Sequence, residues 1–304
     1  MKSYRYLHLD VFSDRLFSGN QLAVFLDGRG LAPDTMQAIA REINFSETTF
    51  VLPAERADTD VRMRIFTPSA EIPIAGHPTI GSTFALARSG VIAPGRKQFV
   101  FGLGVGAVPV ELDWRNDELS FAWMTQLLPT FSAPFADVGC VAAALGISES
   151  VVADTRLPVQ VVSCGVPFLM VPITTRAAVD SAVLNLKVYD ELVHALPDGS
   201  RGLFFFSQER GHDHATVYSR MFAPEAGIIE DPATGIASGP LGCYLVRHAV
   251  VTAPAARSIL SLQGVKMGRP SHVHVSITVE GGEIQRVRVG GASVLAGEGT
   301  MYIP

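Results

Sequence analysis

RIFTPSAEIPIAGHPTIG, residues 64–81, is written in this chain a second time: residues 220–235 read RMFAPEAGIIEDPATG. Arg64, Phe66, Pro68, Ala70 and Ile72 recur as Arg220, Phe222, Pro224, Ala226 and Ile228, at a constant offset of 156 (220 − 64), about half the chain. Past the match each copy closes on a Pro-containing turn. The first is Gly76-His77-Pro78-Thr79. The second, slipped by two residues, is Asp231-Pro232-Ala233-Thr234-Gly235. Each turn enters a small-residue, Ala-rich segment with helix character. A repeat this long predicts two similar half-domains, because a solenoid has a much shorter period. The two turns are expected to face each other across one cleft. Chance likeness of turn sequences is the competing explanation. The match of the preceding strand and the following helix argues against it.

Composition narrows the class. A chain of 304 residues, 48% hydrophobic and 17% charged, has the balance of a compact globule and the length to bury a core without staples. A net charge of −5, with no Lys/Arg-rich block, argues against a nucleic-acid surface. No apolar run is long enough to span a bilayer, and no membrane partner is expected. MKSYRYLHLDVF alternates like a strand rather than a signal peptide. Cys140, Cys164 and Cys243 are an odd, scattered set with no CxxC, which fits reduced cytoplasm. No metal is expected. His212/His214 and His272/His274 form HxH pairs, which on a strand share one face, but neither has an evident third ligand.

Read in order, residues 4–12 and 21–26 are strands. Residues 33–43 are a helix opening on Pro33, with Met36, Ile39, Ala40 and Ile43 on one face. The β-branched run 48–52 is a strand with Glu47 at its mouth, and 61–66 alternates as a half-buried strand. Residues 78–88 read as a helix with Pro78 at its first position. Gly102-Leu103-Gly104-Val105-Gly106 imitates a dinucleotide fingerprint, but strand-like residues follow it, so a hairpin is expected. Residues 129–134 read as a linker. The second half has helices at 138–145 and 186–196 and strands at 159–163, 168–171, 203–206 and 216–222. GVPFLMVP (residues 165–172) echoes ETTFVLP (residues 47–53). A helix runs to about His248, residues 272–279 and 285–289 form a hairpin around Gly281-Gly282, and 300–303 is a last strand crossing back to the first half. The half-domains are expected at 1–127, with a C-terminal strand at about 293–304, and at 128–292.

The chemistry converges on the turns. A helix N-terminus offers unpaired N–H groups and partial positive charge, and small residues admit a ligand. Two such ends would hold a small carboxylate without an arginine. Glu47, His77 and Asp231 are the ionisable groups beside them. A carboxyl desolvated at Glu47 would have a raised pKa, suited to acid/base work; otherwise Glu47 is a surface residue on a strand edge. His77 carries a proton or orients a polar group, or else caps the helix. Asp231 binds an amine or hydroxyl, or caps a helix starting at Pro232.

At these residues the chain resembles the PhzF-like family, named for phenazine biosynthesis. The resemblance rests on DVF (10–12), GNQLAV (19–24), SETTFV (46–51), FTPSAEIPIAGHPTIGS (66–82), EDPATG (230–235) and QGVKMGRPS (263–271). It implies an α+β, diaminopimelate epimerase-like fold: two pseudo-symmetric half-domains, each a curled, mostly antiparallel sheet around a central helix. It further implies a homodimer and a cofactor-independent isomerase (EC 5.-) in a biosynthetic role. In this reading Glu47 shuttles a proton between carbons of a small cyclic, unsaturated amino or hydroxy carboxylate. His77 and Asp231 assist it. Ser46, Gly76, Thr234, Gly235 and Ile236 fall at the substrate-binding positions. One departure stands out. The phenazine enzymes usually read DPATGSA, and this chain has Ile236 where a serine would touch the substrate carboxylate. Racemases and epimerases of the fold use two thiols, one from each half, but neither turn here carries a cysteine. One-base transfer through Glu47 is therefore the expectation. A binding protein without turnover, or an epimerase, is the alternative.

Overall fold

The computed structural model describes residues 2–197, 199–200 and 202–303. Met1 and Pro304, the outer ends of the expected N-terminal half, lie outside them. In chain order the elements are β1 (Lys2–Val11), β2 (Asn20–Phe25), α1 (Pro33–Ile43), β3 (Glu47–Pro53), β4 (Val61–Phe66), β5 (Glu71–Ile72), α2 (Gly76–Arg88), β6 (Gln98–Leu103), β7 (Gly106–Arg115) and β8 (Glu118–Gln126). There follow β9 (Thr130–Pro134), α3 (Val138–Leu145), α4 (Ser150–Ala153), β10 (Gln160–Ser163), β11 (Pro167–Ile173), α5 (Arg176–Ser181), α6 (Leu186–Ala195), β12 (Leu203–Ser207), β13 (Val217–Phe222), α7 (Gly235–Arg247), β14 (Ile259–Gln263), β15 (Ser271–Glu280), β16 (Glu283–Gly291) and β17 (Ser293–Ile303). The chain is mixed α/β and divides into two compact units, Met1–Thr125 with Val289–Pro304, and Gln126–Arg288.

The duplication is visible in the sense of successive strand pairings. In the first unit β17–β1 and β1–β2 are antiparallel, β2–β3 parallel, β3–β4 antiparallel, β4–β6 parallel and β6–β7 antiparallel. In the second, β9–β10 and β10–β11 are antiparallel, β11–β12 parallel, β12–β13 antiparallel, β13–β14 parallel and β14–β15 antiparallel. The parallel steps fall where a helical crossover intervenes, as parallel pairing requires. α1 precedes β3 as α5 and α6 precede β12, and α2 precedes β6 as α7 precedes β14. Each of α2 and α7 has 13 residues, 10 of them buried. Helix α2 packs against β1, β2, β3 and β17, and α7 against β10, β11 and β15. A helix apolar or small on nearly every side must be enclosed.

Two expectations are corrected. Residues 130–134 are a strand, not a linker, because β10 lies beside them and supplies antiparallel backbone partners. GVPFLMVP forms β11, whose counterpart is β2. The counterpart of β3 is β12, so the echo of ETTFVLP was out of register.

The repeated arginine is physically repeated. Arg64 makes a bidentate pair with Glu71 (2.7 and 2.6 Å) and lies 5.1 Å from the Phe66 ring centre. Arg220 pairs with Glu230 (2.8 and 2.9 Å) and lies 5.0 Å from the Phe222 ring centre.

Candidate active site

Helix α2 begins at Gly76, directly after the extended Ala75, and no side chain caps it. Pro78 is therefore its third residue rather than its first, still within the turn where no N–H is needed. His77, the second residue, is 3% exposed. Its Nε2 stands 3.3 Å from Glu47 Oε2, with Glu47 itself buried at the first position of β3. The parallel register that sets Leu22 opposite Glu47 brings the start of β2 to the same corner. There the Asn20 side-chain amide lies 3.2 Å from His77 Nδ1, and the Gln21 backbone also bonds the ring. Burial pushes the His77 pKa down to about 3, so the imidazole is neutral at working pH. It gives Glu47 a dipole and no charge. Ser46 sits half-buried just before β3.

The depressed histidine predicts a pH effect. The unfolded chain binds a proton at His77 below about pH 6.5 that the folded chain refuses until about pH 3. Stability from this group is complete above pH 6.5 and declines as pH falls toward 3, with a limiting slope of about 1.4 kcal/mol per pH unit. His77→Gln should flatten that part of the stability curve, as measured by urea unfolding between pH 7 and 4. An unchanged slope would refute a buried neutral imidazole.

The second corner is built differently. Asp231 is 6% exposed, and its Oδ2 accepts the Thr234 hydroxyl at 2.6 Å. Gln263, fully buried at the end of β14, donates from Nε2 to Asp231 O (2.7 Å) and Thr234 Oγ1 (3.0 Å), and its Oε1 accepts the Thr234 N–H (3.0 Å). Helix α7 starts at Gly235, with Thr234 as the cap residue. Asp231 does not cap a helix at Pro232. Ile236 is half-buried at the second helical position.

One hydrogen bond aligns the first turns of the two helices. Thr79 Oγ1 donates back to Ala75 O (2.7 Å), as Ser238 Oγ does to Thr234 O (2.9 Å). Gly76 thus corresponds to Gly235, and His77 to Ile236. The hydroxyl of Ser238 is spent inside the helix and does not replace the serine absent at position 236. From Ile72 to Gly76 is four positions and from Ile228 to Gly235 is seven, so the second corner carries three extra residues rather than a slip of two. Asp231 lies in this longer connection. Glu47 has no acidic counterpart. Phe66 pairs with Thr48, one residue past Glu47, and Phe222 pairs with Leu203, one past Gly202. A Cβ on Gly202 would lie 2.5 Å from Phe222 O, so no side chain fits there.

The structure therefore joins Glu47, Gly76 and His77 in one corner, and Asp231, Thr234, Gly235 and Ile236 in another. Sequence reasoning gave no role to Asn20 or Gln263. The sequence offers only an amide residue beside a glycine, Gly19-Asn20 and Gln263-Gly264, which does not reveal burial. A cavity of about 390 Å³ is lined by Arg62, Arg64, Glu71, Pro73 and Leu103 among others, and by none of the expected site residues. Among the described residues no three His, Cys, Asp or Glu gather as a metal site would need. All three cysteines belong to the second unit. The thiols of Cys164 and Cys243 are 3.8 Å apart, and each other's presence plus burial pushes Cys243 far above the usual thiol range. One thiol from each half, as two-base racemisation needs, is not available.

A duplicated α/β fold with one buried carboxyl–imidazole corner defines the class, and comparison with known proteins defines the family. Residues 9–299 match the phenazine biosynthesis-like protein family, PhzC-PhzF. A trans-2,3-dihydro-3-hydroxyanthranilate isomerase of Pseudomonas aeruginosa is 33% identical over 300 residues, covering 99% of this chain and 100% of that protein. The crystal structure of a Bacillus anthracis PhzF-family phenazine biosynthesis protein superposes with TM-score 0.87 at 27% identity, over 100% of each chain. A hydroxyproline epimerase from Agrobacterium vitis, 16% identical, shares the fold with TM-score 0.69, covering 98% of this chain and 92% of its own. This chain belongs to the PhzC-PhzF family, and that membership makes it an isomerase.

Proposed function

We propose that the chain is a cofactor-independent isomerase in which Glu47 moves a proton between two carbons of a small cyclic, unsaturated amino or hydroxy carboxylate. The observation that carries this is the buried Glu47–His77 contact, which the second half does not repeat. A single base favours removal and return of the proton on one face of the substrate. His77, neutral, orients a polar group of the substrate beside that base. Asp231 takes an amine or hydroxyl. The uncapped start of α2 suits the carboxylate, with Gly76 and Gly235 allowing close approach and Ser46, Thr234 and Ile236 completing the binding set. In this reading both corners serve one substrate molecule, and the enzyme is a cytoplasmic homodimer. Sedimentation returning the mass of one chain at micromolar concentration would contradict the dimer.

Ile236 supports a second reading, a binder that has lost turnover. The two separate by incubation in D2O with trans-2,3-dihydro-3-hydroxyanthranilate and a panel of cyclic amino and hydroxy carboxylates, read by NMR beside calorimetry. The isomerase is expected to yield product with carbon-bound deuterium and a moved double bond. Tight binding with neither product nor exchange would favour the binder, and loss of optical activity alone would favour an epimerase.

A further inference from the structure

We propose that Gln263 is a positioning residue that acts through Thr234 to fix the carboxylate of Asp231 for substrate. The inference rests on the reading of Asp231 as a substrate-contacting group.

The amide orientation is decided by its partners. Oε1 faces the Thr234 N–H, a donor, so the group facing Asp231 O and Thr234 Oγ1 is the NH2. Both amide hydrogens are then used. Thr234 Oγ1 accepts one of them, and its own single proton is directed onto Asp231 Oδ2 at 2.6 Å. A hydroxyl free to rotate becomes a donor of fixed direction, and the carboxylate it holds is fixed with it.

The first half supplies the control. Val61 and Arg62 pair with Phe101 and Gly102, and Val217 and Tyr218 with Ser261 and Leu262. Continuing each ladder, Leu103-Gly104 corresponds to Gln263-Gly264. Both glycines press on the corner connection: a Cβ on Gly104 would lie 2.8 Å from Pro73 Cα, and one on Gly264 2.5 Å from Pro232 O. The close approach therefore belongs to the fold. The carboxamide does not, because the first half closes the same corner with a buried leucine. Gln263 stands only where the longer connection bearing Asp231 must be held.

The test compares Thr234→Val, Thr234→Ser, Gln263→Met and the double variant Thr234→Val/Gln263→Met with the wild-type chain. Turnover of trans-2,3-dihydro-3-hydroxyanthranilate, thermal melting and a crystal structure of each are measured. Thr234→Val and Gln263→Met should each lower kcat by about 10-fold or more while moving KM less than about threefold. Thr234→Ser should stay within about threefold of wild type, and the double variant should be no worse than the poorer single one. Wild-type kcat in Thr234→Val would overturn the proposal. So would multiplying losses in the double variant, or kcat losses that only track the folded fraction. The crystal structures decide independently of turnover. In Gln263→Met the Asp231 carboxylate should leave its wild-type position. A carboxylate unmoved and still held by Thr234 would overturn the positioning role, whether or not the chain isomerises this compound.

Discussion

Glu47→Gln lowers kcat by about 100-fold or more, with KM changed far less, in steady-state turnover of whichever carboxylate the D2O panel identifies. The substitution is nearly isosteric. The amide fills the same buried place at the mouth of β3 and still meets His77, so binding and fold survive. It cannot hold the abstracted proton. No other group takes over: His77, its pKa near 3, is a poor base, and the corresponding position in the second half is a glycine. Thermal melting within a few degrees of wild type should accompany the loss. Activity within about fivefold of wild type would remove Glu47 from the chemistry.

Arg220→Leu costs about 3–5 kcal/mol of stability, whereas Arg64→Leu costs about 1 kcal/mol or less. The two arginines hold the same place in the repeat, and each has a bidentate glutamate. Their surroundings differ. The side chains of Arg220 and Glu230 are 6% and 17% exposed, those of Arg64 and Glu71 14% and 43%. Arg220 also donates to the backbone carbonyls of Val179 and Ala182, at 2.8 and 2.9 Å, tying α5 to β13. Removing it strands a half-buried carboxylate and two carbonyls, while the exposed Glu71 can turn to water. Urea midpoints of the two variants at pH 7 measure the contrast. Equal shifts would refute the burial argument.

Much of this was legible in the sequence. Period and pattern located α1, β4 and α3 to the residue, because apolar spacing and end residues agreed there. The offset of 156 exposed the duplication, since strand, turn and helix repeat together. What escaped was set by contacts distant in sequence. The segment 130–134 becomes a strand only because β10 lies beside it. The short helices α4 and α5 are too brief to show a period. The true relation of the two corners depended on where α2 and α7 begin, and both prolines misled that reading. Pro78 lies inside its helix, and Pro232 lies three residues before the other. Asn20 and Gln263 were hidden because a buried amide looks like any polar residue until its partners are seen.

The central claim is that one base carries a proton from carbon to carbon. It is tested most directly with substrate deuterated at the carbon that loses its proton, turned over once in H2O and read by NMR for label at the accepting carbon. A shielded single base predicts that a measurable part of the label is carried across in the wild-type enzyme. Product formed with every trace of label lost to solvent, at the earliest times sampled, would contradict it.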